Sequence, residues 1–377
     1  MRTLAGHRTI LGGVALLGLL VACAAPGPRA APSGAANGAA PAQAAAAPPA
    51  APAGEPTGAA GPATTGAPLQ PLPQSVTVSY SSISGSFLPL FVAVENGLFA
   101  KHGLDVDVTY ISSGTTSLQS LLAGDVQFIL TSGAEPTAAY LGGAPVRIIL
   151  GWIPTMSAMF MVNPSITSPE QLRGQTIGIT RFGGQPHVGA RLALKAWGLD
   201  PDSDVQYLQL GGVAEIMAAT QSGQVAGGVY SPPTNVKARK LGLRMLGDLS
   251  QMGIPYQGSV VVGLQPYLEA NPEVVRRFER ALLEAIKVSL TDDAATHAAL
   301  AKYTRTEDPE LLDETIRYYR GVVQRVPYPT MDGLQTVLDD LAEDEPRART
   351  IQPSDLVDTS VLEQLERGGY LKQLYGE

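Results

Sequence analysis

The stretch FLPLFVAVENGLFAKHGLDVDV, residues 87–108, decides how the chain is read. Its first part is apolar almost throughout, as in a helix buried on most sides, and Gly97 and Gly103 are stops. DVDVTYIS (105–112) then alternates cleanly as a strand. Just before it, SVTVSYSS (75–82) carries the β-branched residues of another strand. Strand, helix, strand in this order is a parallel pair joined by a crossover helix.

Working outward, the alternation continues. TTSLQSLLAG (115–124) is a short helix opening on threonines, DVQFILTSG (125–133) a strand, EPTAAYLGG (135–143) a helix and PVRIILGW (145–152) a strand. Such an order predicts a mostly parallel sheet with helices on both faces. The pattern restarts at SPEQLRG (168–174) and QTIGIT (175–180). It runs on through QPHVGARLALKAWG (185–198), DVQYLQLGG (204–212), VAEIMAATQSG (213–223), QVAGGVYSPP (224–233) and LRMLGDLS (243–250). LLAGDVQFILTSG (121–133) and TQSGQVAGGVYSP (220–232) share one layout of helix, Gly, polar-Val, strand and small-polar turn. Two similar α/β lobes follow. MSAMFMVNPS (156–165) is an extended segment that crosses between them, and YQGSVVVGL (256–264) carries the chain back. From Gln265 onward apolar residues recur at helical spacing, as in PEVVRRFERALLEAIKVSL (272–290) and DPELLDETIRYYRGVV (308–323).

The N-terminal side is of a different kind. Arg2, His7 and Arg8 precede the apolar run ILGGVALLGLLVA (10–22). That run is roughly 13 residues, short of the roughly 20 a membrane-spanning helix needs, and fits the apolar region of a secretory signal. Leu20-Val21-Ala22-Cys23 resembles a bacterial lipobox, in which the chain is cut before a cysteine that carries the lipid. Cys23 is the only cysteine, so no disulfide can form within the chain. From Ala24 to Gln74 the sequence is almost all Ala, Pro, Gly and Thr, which cannot bury enough side chain to offset its ordering entropy. It is expected to be a disordered tether.

The 377 residues carry a formal net charge of −8, which argues against a broad nucleic-acid surface. His7, His102, His187 and His297 are far apart and show no metal-ligand spacing. No CxxC, GxSxG or GxxxxGK[ST] motif is present, which lowers the case for an enzyme without excluding one. No cofactor or metal is expected. What recurs is small, Gly-rich turns after strands: SSISGS (81–86), TSG (131–133), TRFGGQPH (180–187) and YSPP (230–233). Ligands of open α/β sheets bind outside the carboxyl ends of strands, where glycines and helix N-termini offer backbone N–H groups. Four such turns on two lobes are expected to converge on one cleft.

In order and spacing, residues 75–264 resemble the solute-binding proteins of nitrate, sulfonate and taurine ABC importers, a group that includes thiamine-precursor binders. The resemblance is carried by Gly97-Leu98-Phe99, Lys101-His102 and Gly103-Leu104-Asp105-Val106, then by LLAGDVQF (121–128) and SPEQLRGQTIGI (168–179). It implies a type II periplasmic binding protein, α/β in class. Two α/β lobes are joined by a two-strand hinge, with a helical C-terminal region. The implied division is a signal peptide over 1–22, a lipidated Cys23 and tether over 23–74, the first part of lobe 1 over 75–160 and lobe 2 over 161–257. Residues 258–377 return to lobe 1 and add the C-terminal helices. The implied partners are a small solute, an ABC permease with its ATPase, and the membrane through the lipid. The chain is expected to be a monomer.

By position, the resemblance places ligand contacts at Ser84, Gly85 and Ser86, at Ser132 and Gly133, at Arg181, Gly183, Gly184, Gln185 and His187, and at Tyr230 and Ser231. Relatives often carry Ser where Gly184 stands, so a simple anion site is in doubt. Arg181 is either a bidentate cleft guanidinium for a carboxylate or sulfonate, or a solvated surface arginine. His187 is either a cleft hydrogen bonder or structural. Tyr80, Trp152 and Phe182 line the pocket or belong to the core, and the direction of Glu135 and Arg147 is not readable. Two other functions stay open: an enzyme of pyrimidine synthesis on the same fold, whose cysteine-rich motif is missing here, and a sensor module that reuses the lobes.

Overall fold

The computed structural model describes residue 72 and residues 75–376. The signal peptide, Cys23 and nearly all of the tether expected from the sequence lie outside the described residues.

Ten strands build two five-stranded sheets. They are β1 (Ser75–Tyr80), β2 (Asp105–Tyr110), β3 (Phe128–Thr131), β4 (Val146–Thr155), β5 (Met159–Val162), β6 (Thr176–Ile179), β7 (Gln206–Gln209), β8 (Gly227–Tyr230), β9 (Arg244–Asp248) and β10 (Pro255–Leu264). The orders are β2-β1-β3-β10-β4 and β7-β6-β8-β5-β9. In the first sheet β1, β2 and β3 are parallel, and β10 runs antiparallel to β3 and β4. In the second, β6, β7 and β8 are parallel, and β5 runs antiparallel to β8 and β9. The same layout therefore occurs twice. In each sheet the one reversed strand is the strand that has just crossed from the other lobe. An all-parallel continuation would need a crossover helix, whereas a strand entering from the opposite lobe arrives reversed.

The helices are α1 (Leu88–Glu95), α2 (Leu98–Lys101), α3 (Gly114–Ala123), α4 (Ala134–Leu141), α5 (Gln185–Ala196), α6 (Val213–Ser222), α7 (Thr234–Lys240), α8 (Gln265–Ala270), α9 (Pro272–Thr291), α10 (Asp293–Thr304), α11 (Pro309–Arg320), α12 (Met331–Leu341), α13 (Ser360–Arg367) and α14 (Tyr370–Tyr375). The stretch 87–103 becomes two helices because Gly97, at φ +62°, takes the left-handed conformation that ends α1. The equivalent helices α3 and α6 both end on left-handed glycines, Gly124 and Gly223.

The central strands of each sheet are buried on both faces, which gives β3 and β5 their continuous apolar run, whereas the edge strands β2 and β7 are partly exposed. In lobe 1, Phe128 and Leu130 face α1 and α9, where Phe128 stacks on Phe278 at 4.3 Å; Ile129 faces α3 and α12. In lobe 2, Phe160, Ile177 and Val229 face α5, while Met161 and Tyr230 pack with Ile216 of α6. The chain crosses at 156–158, since Met159 and Phe160 already pair with β8 and β9. A lobe boundary after residue 160 thus falls inside β5. The return crossing precedes β10, whose first residue, Pro255, pairs with Thr155, so the boundary after residue 257 falls inside β10.

α12 spans the lobes on the hinge side. Leu334 and Leu338 sit in a lobe 1 core, and Val337 sits in a lobe 2 core. At its end Asp340 accepts from Arg191 Nε at 3.1 Å and from Lys195 Nζ at 2.6 Å, both on α5.

Candidate functional site

The carboxyl ends of β1, β3, β6 and β8 meet between the lobes and enclose two adjoining chambers. The inner one, of ≈ 30 Å³, is lined by Ser81 and Ser82 after β1, Gly114 at the start of α3 and Glu135 in the first turn of α4. Lobe 2 closes it with Thr180, Gln185, Val213 and Ser231. That volume holds a water or two. The outer one, of ≈ 250 Å³, shares Ser81, Ser82, Thr180 and Val213 and opens past Tyr110, Ser113, Met217, Lys237 and Arg305.

Hydrogen bonds cross the cleft directly. Gln185 N donates to Glu135 Oε1 at 3.1 Å, Gly85 N to the Pro232 carbonyl at 3.1 Å, and Ser112 Oγ to the Gly211 carbonyl at 3.0 Å. Ser84 Oγ donates across the cleft to the Pro232 carbonyl at 3.4 Å, and within lobe 1 it lies 2.9 Å from the Tyr319 hydroxyl. The lobes are therefore described in a closed arrangement.

Glu135 is the central group. It is 4% exposed. Besides Gln185, it accepts from Ser132 Oγ at 2.5 Å, and Ser132 Oγ in turn accepts from Tyr256 Oη at 2.9 Å. Burial pushes its carboxyl above the usual range, against the hydrogen bonds from Ser132, its own N–H and Gln185. Among the described residues no Lys, Arg or His forms an ion pair with it. Gly114 is small because a Cβ there would meet Glu135 Oε1 and Thr131 Oγ1 at 2.3 Å.

The residues expected as contacts separate into groups. Gln185 and Ser231 line the inner chamber. Ser132 holds Glu135 from behind, and Gly133 N donates to the Gln257 carbonyl at 2.9 Å. Gly184 caps α5, with its Cβ position 3.7 Å from Glu135 Oε1. Ser84 and Gly85 make cross-lobe contacts, while the Ser86 carbonyl accepts from Trp152 Nε1 at 2.9 Å. Ser84 and Gly85 brace the lobes and Ser86 is tied within lobe 1, while Ser81 and Ser82, nearer the strand end, face the chamber.

Three expectations are corrected. The Tyr230 side chain lies under α6, because it alternates with Val229 along β8 and so takes the opposite face. Its hydroxyl is 2.5 Å from Thr220 Oγ1 and donates to the Ile216 carbonyl at 3.3 Å. Arg181 is exposed and lines neither chamber. His187 braces its own loop: Gly183 N donates to Nδ1 at 3.2 Å, and the ring packs against Tyr207 at 4.8 Å. Burial, and then Arg191, lowers its pKa to about 4, so the ring is neutral at pH 7. Of the aromatics, Tyr80 and Trp152 are core, and Phe182 is 52% exposed beside His187.

Glu135, Thr180, Lys237 and Arg305 were not identified from sequence as contacts. Thr180 and Glu135 could have been found, since each sits at or just past a strand end. Arg305, beyond α10 at φ +51°, carries no local signal at all. Among the described residues no group of His, Cys, Asp and Glu could hold a metal ion, and no helix is long and apolar enough to cross a membrane.

Residues 84–295 match the profile described as NMT1/THI5 like, which is more than half of the chain. The chain belongs to the NMT1/THI5-like family. Similar sequences include the riboflavin-binding protein RibY of Chloroflexus aurantiacus, 27% identical over 62% of this chain and 68% of that protein. The taurine-binding periplasmic protein of Escherichia coli is 33% identical over 56% of this chain and 65% of its own length. In fold, the chain is similar to the nitrate-binding protein NrtA of Synechocystis, with a TM-score of 0.67 at 13% identity over 80% of this chain and 90% of that one. It is likewise similar to the alkanesulfonate-binding protein SsuA of Xanthomonas axonopodis, at 0.62 and 19% over 78% and 97%. The two lobes are thus those of a periplasmic binding protein, and the related proteins of this family are binding proteins.

Proposed function

We propose that the chain is an extracytoplasmic receptor that captures a small solute between its lobes and delivers it to an ABC importer permease and its ATPase. The observation that carries this reading is the convergence of four strand ends, two from each lobe, on one cleft that direct hydrogen bonds close. Closure around a bound solute is the change that a transporter can read. The relatives named for taurine and riboflavin support the reading. Lobe 1 takes residues 75–160 and 258–377 and lobe 2 residues 161–257, adjusted at both crossings as the strand pairing requires. The solute is held by Gln185 and Ser231 with Ser81, Ser82, Thr180 and Glu135. The chain acts as a monomer and performs no reaction.

The same reading places Cys23 as the lipidated first residue of the mature chain, with the tether holding the receptor at the outer face of a membrane. Cys23→Ser is expected to release the protein or block its processing. A variant still membrane-bound and correctly cut overturns the anchor.

Thermal unfolding with a panel of nitrate, alkanesulfonates, amino acids, aromatic carboxylates, pyrimidines and flavins tests the receptor. A solute at 100 times its Kd stabilises the fold by ~2.7 kcal/mol, a shift of about 4 °C for a folded part of this size. No shift with any of them overturns the reading.

A further inference from the structure

The charges of the cleft are sorted by depth. The inner chamber has one acidic residue, Glu135, and no basic one. The outer chamber has two basic residues, Lys237 and Arg305, and no acidic one.

At the inner end, the donors that α5 would offer an oxyanion are already taken. A helix N-terminus facing a cleft is ordinarily an anion seat, because its first N–H groups have no partner within the helix. At α5 these donors are occupied. Gln185 N is bonded to Glu135, Gly184 N to the Arg181 carbonyl at 3.2 Å, and His187 N to the Gly184 carbonyl at 2.9 Å. Pro186 has no N–H. A carboxylate of this chain already sits where an external anion would bind.

That carboxylate has hydrogen bonds but no cation. Oε1 accepts from Gln185 N and Oε2 from Ser132 Oγ, with its own N–H and the Thr131 hydroxyl also close. Without a counter-ion, a charge so deep in the protein is costly unless a ligand supplies one. At the other end Ser113 Oγ is buried without a hydrogen-bond partner among the described residues, on a residue held at φ +79°. Strained backbone of this kind clusters at ligand sites.

We propose that Glu135 is the specificity-determining residue of the cleft and takes the protonated amine or amidine end of a small zwitterionic solute, whose acidic end lies toward Lys237 and Arg305. This rests on the receptor reading and goes beyond it, since it sets an amine or amidine, and not a simple oxyanion, against Glu135. A ligand cation favours the ionised form of Glu135 and supplies the counter-charge it lacks. An acid group at that depth would meet like charge.

The test is calorimetric titration of the full chain with pairs that differ only in the amino group: 2-aminoethanesulfonate against 2-hydroxyethanesulfonate, and 3-aminopropanoate against 3-hydroxypropanoate. Nitrate and ethanesulfonate are run beside them. At least one amine is expected to bind ~10–100-fold more tightly than its hydroxyl partner, the range of a hydrogen bond to a charged group. Glu135→Gln, of the same shape, is expected to remove that preference, so that the two partners bind alike. Lys237→Ala, remote from the inner chamber, is expected to weaken the amino acids and spare an amine with no acid group; it tests the orientation even where the Gln variant folds poorly. Equal binding of the partners, or tighter binding of nitrate or ethanesulfonate, overturns the assignment and leaves the receptor intact. No stabilisation by any solute in the wider thermal panel overturns both.

Discussion

Gln185 N lies 3.1 Å from Glu135 Oε1, and the two residues belong to opposite lobes. The first turn of α5 in lobe 2 is therefore capped by a side chain of α4 in lobe 1. An N-terminal donor that would otherwise face the cleft is satisfied only when the lobes are together. One buried carboxylate thus ties closure to the chemistry of the cleft floor, and Tyr256 on the return strand reaches it through Ser132.

The first expectation concerns this carboxylate in the solute-free chain. Burial raises the pKa of Glu135 above its ordinary 4.5. A carboxyl raised in the folded state contributes most stability below the unfolded value and loses it as pH rises through the folded one. Glu135→Gln, which cannot ionise, is expected to gain on the wild type as pH rises above 4.5 in urea unfolding. The same substitution removes amine binding, so stability and function move in opposite directions. A stability difference that does not change with pH would show that Glu135 is not a desolvated acid.

His187 gives the opposite sign. Its folded pKa is lowered from 6.5 to about 4. The unfolded chain then binds the extra proton in that window, so the contribution is full above pH 6.5 and lost progressively down to pH 4. We expect His187→Gln to destabilise less at pH 4 than at pH 7, the difference being about 1–3 kcal/mol. Parallel urea curves at pH 7, 5 and 4 measure it; the same penalty at every pH would mean that the ring titrates normally.

Arg181 and Tyr230 separate position in sequence from position in space. Arg181→Ala is expected to change solute affinity by less than ~0.5 kcal/mol, the usual effect of an exposed side chain away from the site. Tyr230→Phe removes a buried hydroxyl, but Thr220 Oγ1 keeps its bond to the Ile216 carbonyl at 2.8 Å. The cost is expected to be ~1 kcal/mol of stability with affinity unchanged. A tenfold loss of affinity in either variant returns that residue to the cleft.

Much of this arrangement is written in the order of elements. The two series of strands and helices, the crossing segments and the four Gly-rich turns all follow from local patterns of period 2 and 3.6. Those patterns fix which element a residue occupies, and only weakly where its side chain ends. SSISGS was legible as a turn, yet whether Ser81 and Ser82 or Ser84 and Ser86 face the solute depends on how Tyr319, more than 230 residues later, docks on Ser84. The alternation in β8 does predict that Val229 and Tyr230 face opposite ways. Which face meets the cleft is decided by α6 packing beneath Tyr230. Reversal of β5 and β10 is legible only once both are known to enter from the other lobe.

The last expectation concerns the brace behind the hinge. Arg191, 4% exposed, reaches Asp340 at 3.1 Å, Glu343 at 3.1 Å and Asp202, while Lys195 reaches Asp340 at 2.6 Å. Asp340 is itself buried, on the helix that contributes to cores in both lobes. Removing one partner of a buried pair leaves the other charge uncompensated, which costs ~3–5 kcal/mol, far more than an exposed pair such as Lys240 with Glu310 is worth. Glu343 and Asp202 remain near Arg191, so Asp340→Ala is expected at the lower end of that range. Lys240→Ala is expected to unfold at about the same urea concentration as the wild type. Urea unfolding of the two variants measures both, and equal losses would show that depth does not govern these pairs. Because α5 also carries Gln185 at its other end, Asp340→Ala is further expected to weaken solute binding from a distance, by letting α5 shift relative to Glu135. Glu343→Ala, at the exposed edge of the same cluster, serves as the control that leaves α5 in place.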